Sequence, residues 1–217
     1  MRICLITPPS PFLLDERVFM HIGILKVAAA LENEGHKVDF LDLSGVKNYI
    51  DILDDYFKLE SSATVVGITA TTPQVPYAVR IGQHIREKND SVKLILGGPH
   101  VTLMHAAAKR ERKKDFKDST RAYDDTQTLS GIFDILVCGD GELAIFEALE
   151  KTKGIVDADD KDSSLFLNNQ KLTAMPMPAR HLVDMDSYKY YIEGERATSL
   201  IAQLGCPFKC TFCSGRN

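Results

Sequence analysis

The amino-acid sequence predicts a doubly wound α/β fold built on a five-stranded parallel sheet. Short, continuous apolar segments alternate with longer segments whose apolar residues recur at helical spacing. Continuous apolar strands are typical of parallel sheets, because helices cover both faces of such a sheet. Glycine, proline and small polar residues follow several of these strands, at the edge where open α/β sheets bind ligands.

Five segments are predicted to be strands because each is short and rich in apolar residues. They cover residues 2–7, 37–43, 64–70, 92–96 and 132–138. The third is representative, with Val65, Val66 and Ile68 in close succession. We expect the crossover connections between these parallel strands to be right-handed.

The intervening segments are predicted to be helices. They cover residues 22–34, 49–59, 76–88 and a last segment that runs from 141 to about 151. In the first of them, Ile24, Ala28 and Leu31 recur at helical spacing. Gly35 follows directly, and glycine is typical of the residue after a helix C-terminus.

Residues 105–131 interrupt the β/α repeat with a polar, charged segment. This segment contains a basic cluster formed by Lys109, Arg110, Arg112, Lys113, Lys114 and Lys117. Such a run indicates a solvated helical insertion, and a nucleic-acid or partner surface is the weaker alternative.

Three regions follow from this pattern. Residues 1–153 form the α/β domain, and residues 154–196 form a linker. The linker is predicted to contain a small hairpin over residues 165–172, which turns at Asn168 and Asn169. Apolar strand character returns over residues 197–204, so residues 197–217 are predicted to begin a further, truncated domain.

Composition and charge exclude several classes of protein. Of the 217 residues, 44% are hydrophobic and the net charge is −4, which is ordinary for a globular chain and gives no support for nucleic-acid or membrane-surface binding. No apolar segment approaches the ~20 residues that span a bilayer. The first apolar segment ends at Pro8 and Pro9, too early for a signal peptide. We therefore expect a cytoplasmic protein.

Three of the five cysteines, Cys206, Cys210 and Cys213, have the spacing C-x3-C-x2-C. Thiolates are soft ligands suited to iron–sulfur clusters, and three of them on one loop hold three irons of a cubane cluster and leave the fourth iron open. Zinc is the main alternative, although a structural zinc site usually has four ligands. Three unligated cysteines are the remaining possibility. The odd number of cysteines argues against a disulfide framework.

This loop, with the aromatic Phe212 before its last cysteine and an apolar segment before its first, resembles the cluster motif of radical S-adenosylmethionine (SAM) enzymes. The resemblance implies that Cys206, Cys210 and Cys213 hold a 4Fe-4S cluster. It further implies that the open iron chelates SAM, that Phe212 packs near the adenine, and that ferredoxin or flavodoxin donates the electron. The barrel of that family continues well beyond this loop, so we expect the chain to be an N-terminal fragment that is inactive alone.

The first 150 residues or so resemble the cobalamin-binding domain that precedes the barrel in one radical SAM class, which includes methyltransferases and a cyclase of chlorophyll synthesis. The resemblance lies in the order of short motifs, among them Thr7-Pro8-Pro9, Val66-Gly67-Ile68-Thr69, Leu96-Gly97-Gly98-Pro99-His100 and Cys138-Gly139-Asp140-Gly141-Glu142. It implies cofactor contacts from Pro8, Pro9, Thr69, Thr71, Gly97, Gly98, His100, Gly139, Gly141 and Glu142. It also implies a methyltransferase or cyclase that acts on a small molecule.

The histidine motif D-x-H-x-x-G, which supplies the lower cobalt ligand in some cobalamin domains, has no match after the first strand. His21 has the wrong spacing, so we expect bound cobalamin to have its nucleotide tail withdrawn into the protein and no protein imidazole on cobalt. Two alternatives are a corrinoid-free α/β docking module in front of a radical SAM barrel and a zinc-stabilised regulatory domain. A dinucleotide fingerprint at residues 139–144 is disfavoured because it follows the fifth strand rather than the first.

Overall fold

The computed structural model describes residues 1–59, 62–113, 120–206, 208, 210 and 211. Its main strands are β1 (Arg2–Thr7), β2 (Lys37–Asp42), β3 (Val65–Thr69), β4 (Lys93–Gly97), β5 (Ile135–Cys138) and β6 (Gly154–Asp157). Within the described ranges they form one parallel sheet in the order β2-β1-β3-β4-β5-β6. The predicted α/β fold with a parallel sheet is therefore confirmed.

Helices cover both faces of this sheet. They are α1 (Ile22–Asn33), α2 (Tyr49–Phe57), α3 (Val75–Lys88), α4 (Pro99–Lys113), α5 (Arg121–Ser130) and α6 (Gly141–Glu150). Leu53 of α2, Ile81 of α3 and Leu129 of α5 belong to the buried cluster on one face. Leu31 of α1 and Ala144 of α6 belong to the cluster on the other face. In the part of the chain described, no helix has the length and apolar character to cross a bilayer.

The sheet has six strands rather than the predicted five. The sixth, Gly154–Asp157, was assigned to the linker from sequence, but it pairs in parallel with β5, with Gly154 opposite Ile135 and Asp157 opposite Cys138. The strand has only two strongly apolar residues, Ile155 and Val156, so its pattern is too short to identify it. The α/β unit therefore extends at least to Asp157.

The connection from β5 to β6 has the opposite hand to the neighbouring crossovers. From β3 through β4 and β5 to β6, the chain moves across the sheet in one direction. Helix α3 packs on one face, whereas α6 packs on the other face beside α1. The expectation of right-handed crossovers concerned the five predicted strands, and the exception lies in the added connection to β6. Ala144, Ile145 and Ala148 of α6 join the buried cluster of α1, and this packing determines the face on which α6 lies.

The hairpin predicted over residues 165–172 is replaced by a short helix, α7 (Asn169–Ala174). Asn168 precedes this helix, and its side-chain oxygen accepts a hydrogen bond from the Lys171 amide at 2.9 Å. Asparagine is favoured both in tight turns and at helix N-caps, and here the cap is formed.

A hairpin does form later in the linker. Strand β7 (Tyr191–Ile192) pairs antiparallel with β8 (Glu195–Arg196). Glu193 and Gly194 between them both have positive φ, as two-residue hairpin turns of the primed type require. Residues 197–204, all of them described, form no strand, since a parallel strand needs a neighbouring strand for its backbone hydrogen bonds.

The linker packs back on the α/β unit near the end of β2. Arg17 donates hydrogen bonds to the backbone oxygens of Asp42 and Ser44 and to the Ser187 hydroxyl, each at 3.0 Å. Its guanidinium lies over the ring of Tyr188, whose hydroxyl is hydrogen-bonded to the Asp42 carboxylate. Residues 187 and 188 are therefore held against the sheet edge by one arginine.

Candidate cofactor-binding cavity

A cavity of about 500 Å³ opens at the carboxyl edge of the sheet. The sheet contributes four residues to the lining, all on the face that α1 and α6 cover: Leu5, Gly67, Ile95 and Val137. The first turns of α1 and α6 form its walls, and the ends of β3, β4 and β5 form its rim. Open α/β sheets bind ligands at this edge.

Two rim positions can only be occupied by glycine. Gly98 has a φ of +100°, and a Cβ there would lie 2.7 Å from the backbone nitrogen of Ala70. Gly139 has a φ of +86°, and a Cβ there would lie 2.6 Å from the carbonyl carbon of Ala158. L-residues rarely adopt positive φ, and these contacts are with backbone that cannot move aside. The rim is therefore built from tight backbone contacts between neighbouring loops.

Gly67 makes room for the Leu5 side chain in the lining of the cavity. It lies in the middle of β3, where a Cβ would be 2.8 Å from Cδ2 of Leu5. Glycine weakens a strand interior, and it often marks a place where another group must approach closely. At Gly67 the approaching group is the Leu5 side chain, and both residues line the cavity.

Six of the sequence-predicted contact residues line the cavity together. They are Thr69, Gly97, Gly98, Gly139, Gly141 and Glu142. They come from three separate β/α junctions, which the parallel sheet brings to one edge. Their roles as cofactor contacts stay predictions, but the shared position is a property of the fold.

Four other predicted contact residues lie outside the cavity lining: Pro8, Pro9, Thr71 and His100. Gln74 occupies the space between two of them, because its amide donates to the Pro8 carbonyl at 2.9 Å and its side-chain oxygen accepts from the Thr71 hydroxyl at 2.9 Å. Nδ1 of His100 lies 3.1 Å from the Thr72 hydroxyl, and its Nε2 lies 2.8 Å from Asp125. The side chains of Thr71 and His100 are therefore engaged in structural contacts beside the cavity.

No histidine among the described residues lines the cavity. His21 precedes α1 and is partly buried, and burial lowers its pKa against the opposing effect of Asp42 and Glu16. It therefore belongs to the base of α1 rather than to the cavity lining.

Lys26 is a lining residue that the sequence analysis missed. It lies on the buried side of α1, and its ammonium nitrogen is 2.5 Å from Oε1 of Glu142, the residue that follows Gly141 at the start of α6. A sequence signal did exist, because Lys26 interrupts an otherwise apolar stretch of the helix. Buried lysines are rare unless they are paired, so this one identifies a specialised position.

The cysteine motif lies only partly within the described residues. Cys206 and Cys210 are exposed, whereas Cys213 and Phe212 lie outside the described residues. The chain reaches this motif by way of the cavity, because Ile201 and Leu204 are part of the cavity lining. The assignment of the three cysteines as cluster ligands stays a prediction.

Among known protein families, the B12 binding domain matches residues 17–127 of this chain. The match covers about half of the chain and includes α1, the rim after β3 and the rim after β4.

Two curated relatives extend the likeness along the chain. An uncharacterised methyltransferase of Pyrococcus horikoshii is 29% identical over 99% of this chain. The anaerobic magnesium-protoporphyrin IX monomethyl ester cyclase of Rubrivivax gelatinosus is 25% identical over 69% of it. The chain spans 45% of the first relative and 26% of the second, so it corresponds to less than half of either protein.

Two solved structures of the radical S-adenosylmethionine methyltransferase TsrM from Kitasatospora setae are also similar. One contains tryptophan and a SAM analogue, and the other contains cobalamin and a 4Fe-4S cluster. Both are 24% identical, cover 48% of this chain and 20% or 21% of TsrM, and have a TM-score of 0.42. That superposition is too weak to support an inference about this chain.

The rim glycines predict a contrast in stability. Gly139→Ala should lower the free energy of unfolding by about 2–4 kcal/mol, because it combines positive φ with a backbone clash. Gly97→Ala should change it by less than about 1 kcal/mol, because its Cβ would make an ordinary 3.7 Å contact with Val137. Urea denaturation of the two variants measures both values. Equal losses would contradict the described rim.

The cysteines predict a contrast in reactivity. Burial, together with the charges of Asp157 and Asp159, raises the pKa of the Cys138 thiol to about 12, and burial raises the pKa of Cys4 above its usual range. Because the thiolate is the reactive form, iodoacetamide at about pH 8 should alkylate Cys206 and Cys210 while sparing the two buried thiols. Peptide mass spectrometry of the native protein reads this out, with urea-unfolded protein as the control. Alkylation of native Cys138 as fast as Cys206 would contradict the burial described.

Proposed function

Since this chain belongs to the B12-binding domain family, we propose that it binds cobalamin in the cavity at the carboxyl edge of its sheet, as the N-terminal part of a radical SAM enzyme. The observation that carries this proposal is the convergence of three β/α junctions on one cavity, two of them rich in glycine. The junctions after β3 and β4 lie within the matched family region, and the junction after β5 follows it. The cytoplasm is the proposed location.

The cavity suits the nucleotide tail of cobalamin rather than its corrin ring. The tail is narrow, and the lining between α1 and α6 is largely apolar, with Ile24, Val27 and Ile145 among its residues. Rims without side chains at Gly98 and Gly139 let a ligand approach backbone closely. The Thr69 hydroxyl at the rim would donate a hydrogen bond to the tail. The sequence has no D-x-H-x-x-G motif after β1, so we propose a lower cobalt face that no protein imidazole occupies.

The second half of the proposal concerns the cysteines. Cys206, Cys210 and Cys213 would hold a 4Fe-4S cluster, and Phe212 would pack near the adenine of SAM. Such a cluster supplies one electron to SAM, and cobalamin supplies a cobalt centre that carries a methyl group. Leu204 supports a link between the two parts, since it lines the cavity two residues before Cys206.

The reaction belongs to the whole protein, of which the curated relatives suggest two kinds. One relative is named a methyltransferase and the other a cyclase. Both names fit a small-molecule substrate, with ferredoxin or flavodoxin as the electron donor. We favour methyl transfer, because the methyltransferase matches 99% of this chain.

A substitution at Gly23 tests the cavity directly. A Cβ on Gly23 would meet nothing within 4 Å, and Gly23 lines the cavity at the start of α1. Gly23→Leu should therefore place a side chain in the cavity mouth and weaken hydroxocobalamin binding at least about tenfold, while replacing a helical glycine preserves or raises stability by up to about 1 kcal/mol. Gly23→Ala is the matched control and should retain binding.

Equilibrium dialysis with hydroxocobalamin measures this series. Equal binding by Gly23→Leu and the wild type would place the ligand elsewhere. A folded wild-type chain that binds no cobalamin would instead support the corrinoid-free docking module.

Cys210→Ala tests the cluster in the full-length protein. After anaerobic reconstitution, this variant should lose both bound iron and SAM cleavage, because two thiolates do not hold a cubane cluster with one open iron. Cys138→Ala is the control and should retain iron, since that thiol is buried in the sheet. Iron and zinc analysis together with an assay for 5′-deoxyadenosine provides the measurement. Normal SAM cleavage by Cys210→Ala, or zinc in place of iron, would overturn the assignment.

A further inference from the structure

Lys26 and Glu142 form a buried ion pair in the wall of the cavity. Their side chains are only 5% and 7% exposed, and both residues belong to the lining. Apart from Glu142, the ammonium nitrogen of Lys26 has no hydrogen-bond partner among the described residues. An ammonium has three N–H donors, so two of them remain unused.

A purely structural role does not account for this arrangement. Removing two charges from water is unfavourable unless further hydrogen bonds satisfy their remaining donors and acceptors. Even Lys171, which is only partly buried, has two such partners, because its ammonium donates to the backbone oxygens of Ser164 and Phe166. The unused donors of Lys26 instead match an acceptor that a ligand brings into the cavity.

The lower base of a cobamide carries such an acceptor. It is the group farthest along the tail from the corrin ring, so it reaches the walls of the cavity when the tail enters through the rim. Once the base has left cobalt, the ring nitrogen that bound the metal has no partner. An unpaired acceptor in apolar surroundings is unfavourable, whereas an ammonium forms a strong, charge-assisted hydrogen bond with it.

We propose that Lys26, held in place by Glu142, donates a hydrogen bond to the free ring nitrogen of the lower base, so that this pair selects cobamides whose lower base is nitrogenous. The inference rests on the proposed function and specifies which part of the ligand the cavity recognises. Thr69 at the rim and Lys26 in the wall then contact different parts of one tail.

The test compares two corrinoids. Cobalamin has a dimethylbenzimidazole base with a ring nitrogen, and p-cresolylcobamide has a phenolic base without one. The variant is Lys26→Met combined with Glu142→Met, because removing only the lysine would leave a buried carboxylate unpaired. The matched control removes an exposed ion pair of α2, through Lys58→Met combined with Asp55→Met.

Affinities from equilibrium dialysis should change for one ligand only. The Lys26/Glu142 variant should bind cobalamin about tenfold more weakly than the wild type and p-cresolylcobamide equally well, corresponding to the loss of one hydrogen bond. Releasing the base from cobalt costs the same free energy with either protein, so that step cancels in the comparison. The Lys58/Asp55 variant should bind both ligands as the wild type does.

The outcomes separate this inference from the proposed function. Retained binding of p-cresolylcobamide shows that the variant is folded, and unchanged cobalamin binding would then overturn the inference alone. An equal loss of affinity for both ligands would also overturn the inference. The ion pair would then support the shape of the cavity without recognising the lower base. A folded wild-type chain that binds neither corrinoid would overturn the proposed function and the inference together.

Discussion

Helices α1 and α6 pack side by side on one face of the sheet, and the position of the cavity depends on this contact. Ala28, Ala144 and Ala148 belong to the buried cluster between the helices and the sheet, where small side chains let the elements approach closely. At the start of α6, a Cβ on Gly141 would lie 2.8 Å from Cγ2 of Val27. The two helices begin at the carboxyl edge of the sheet, so the space between their first turns opens where the strands end.

The unusual hand of the β5–α6–β6 connection follows from the same contact. With α6 on the face of α3, the first turns of α1 would have no opposing wall, and the sheet edge would carry only a shallow groove. With α6 beside α1, Glu142 is brought within ion-pair distance of Lys26, and the rim after β5 meets the rims after β3 and β4. One packing choice thus creates both the volume of the cavity and its only buried ion pair among the described residues.

Much of the fold could be predicted from sequence, because apolar periodicity reports burial directly. β1 was predicted with its observed bounds, and β3 and α3 to within one residue at each end. Parallel topology then brought Thr69, Gly97 and Gly139 to one edge without further information. β6 escaped detection because four residues with two strongly apolar side chains carry too weak a pattern.

Details of the site depended on side-chain packing that sequence spacing does not encode. Thr71 and His100 follow strands as expected of rim residues, yet Gln74 and Asp125 engage them outside the cavity. The ion pair between Lys26 and Glu142 depends on α6 lying on the same face of the sheet as α1, which sequence spacing does not encode. In the linker, Asn168 fits a turn or a helix cap equally well, and the local hydrogen bond to the Lys171 amide decides between them.

In the proposed complex, the cavity takes up the tail of cobalamin and leaves cobalt without a nitrogen ligand from base or protein. Electron paramagnetic resonance of this chain with cob(II)alamin tests it most directly, because an axial nitrogen splits the cobalt lines further. We predict a bound cob(II)alamin whose spectrum lacks that nitrogen splitting. A spectrum that retains the splitting, or one that shows only free cob(II)alamin in the presence of folded protein, would contradict the claim.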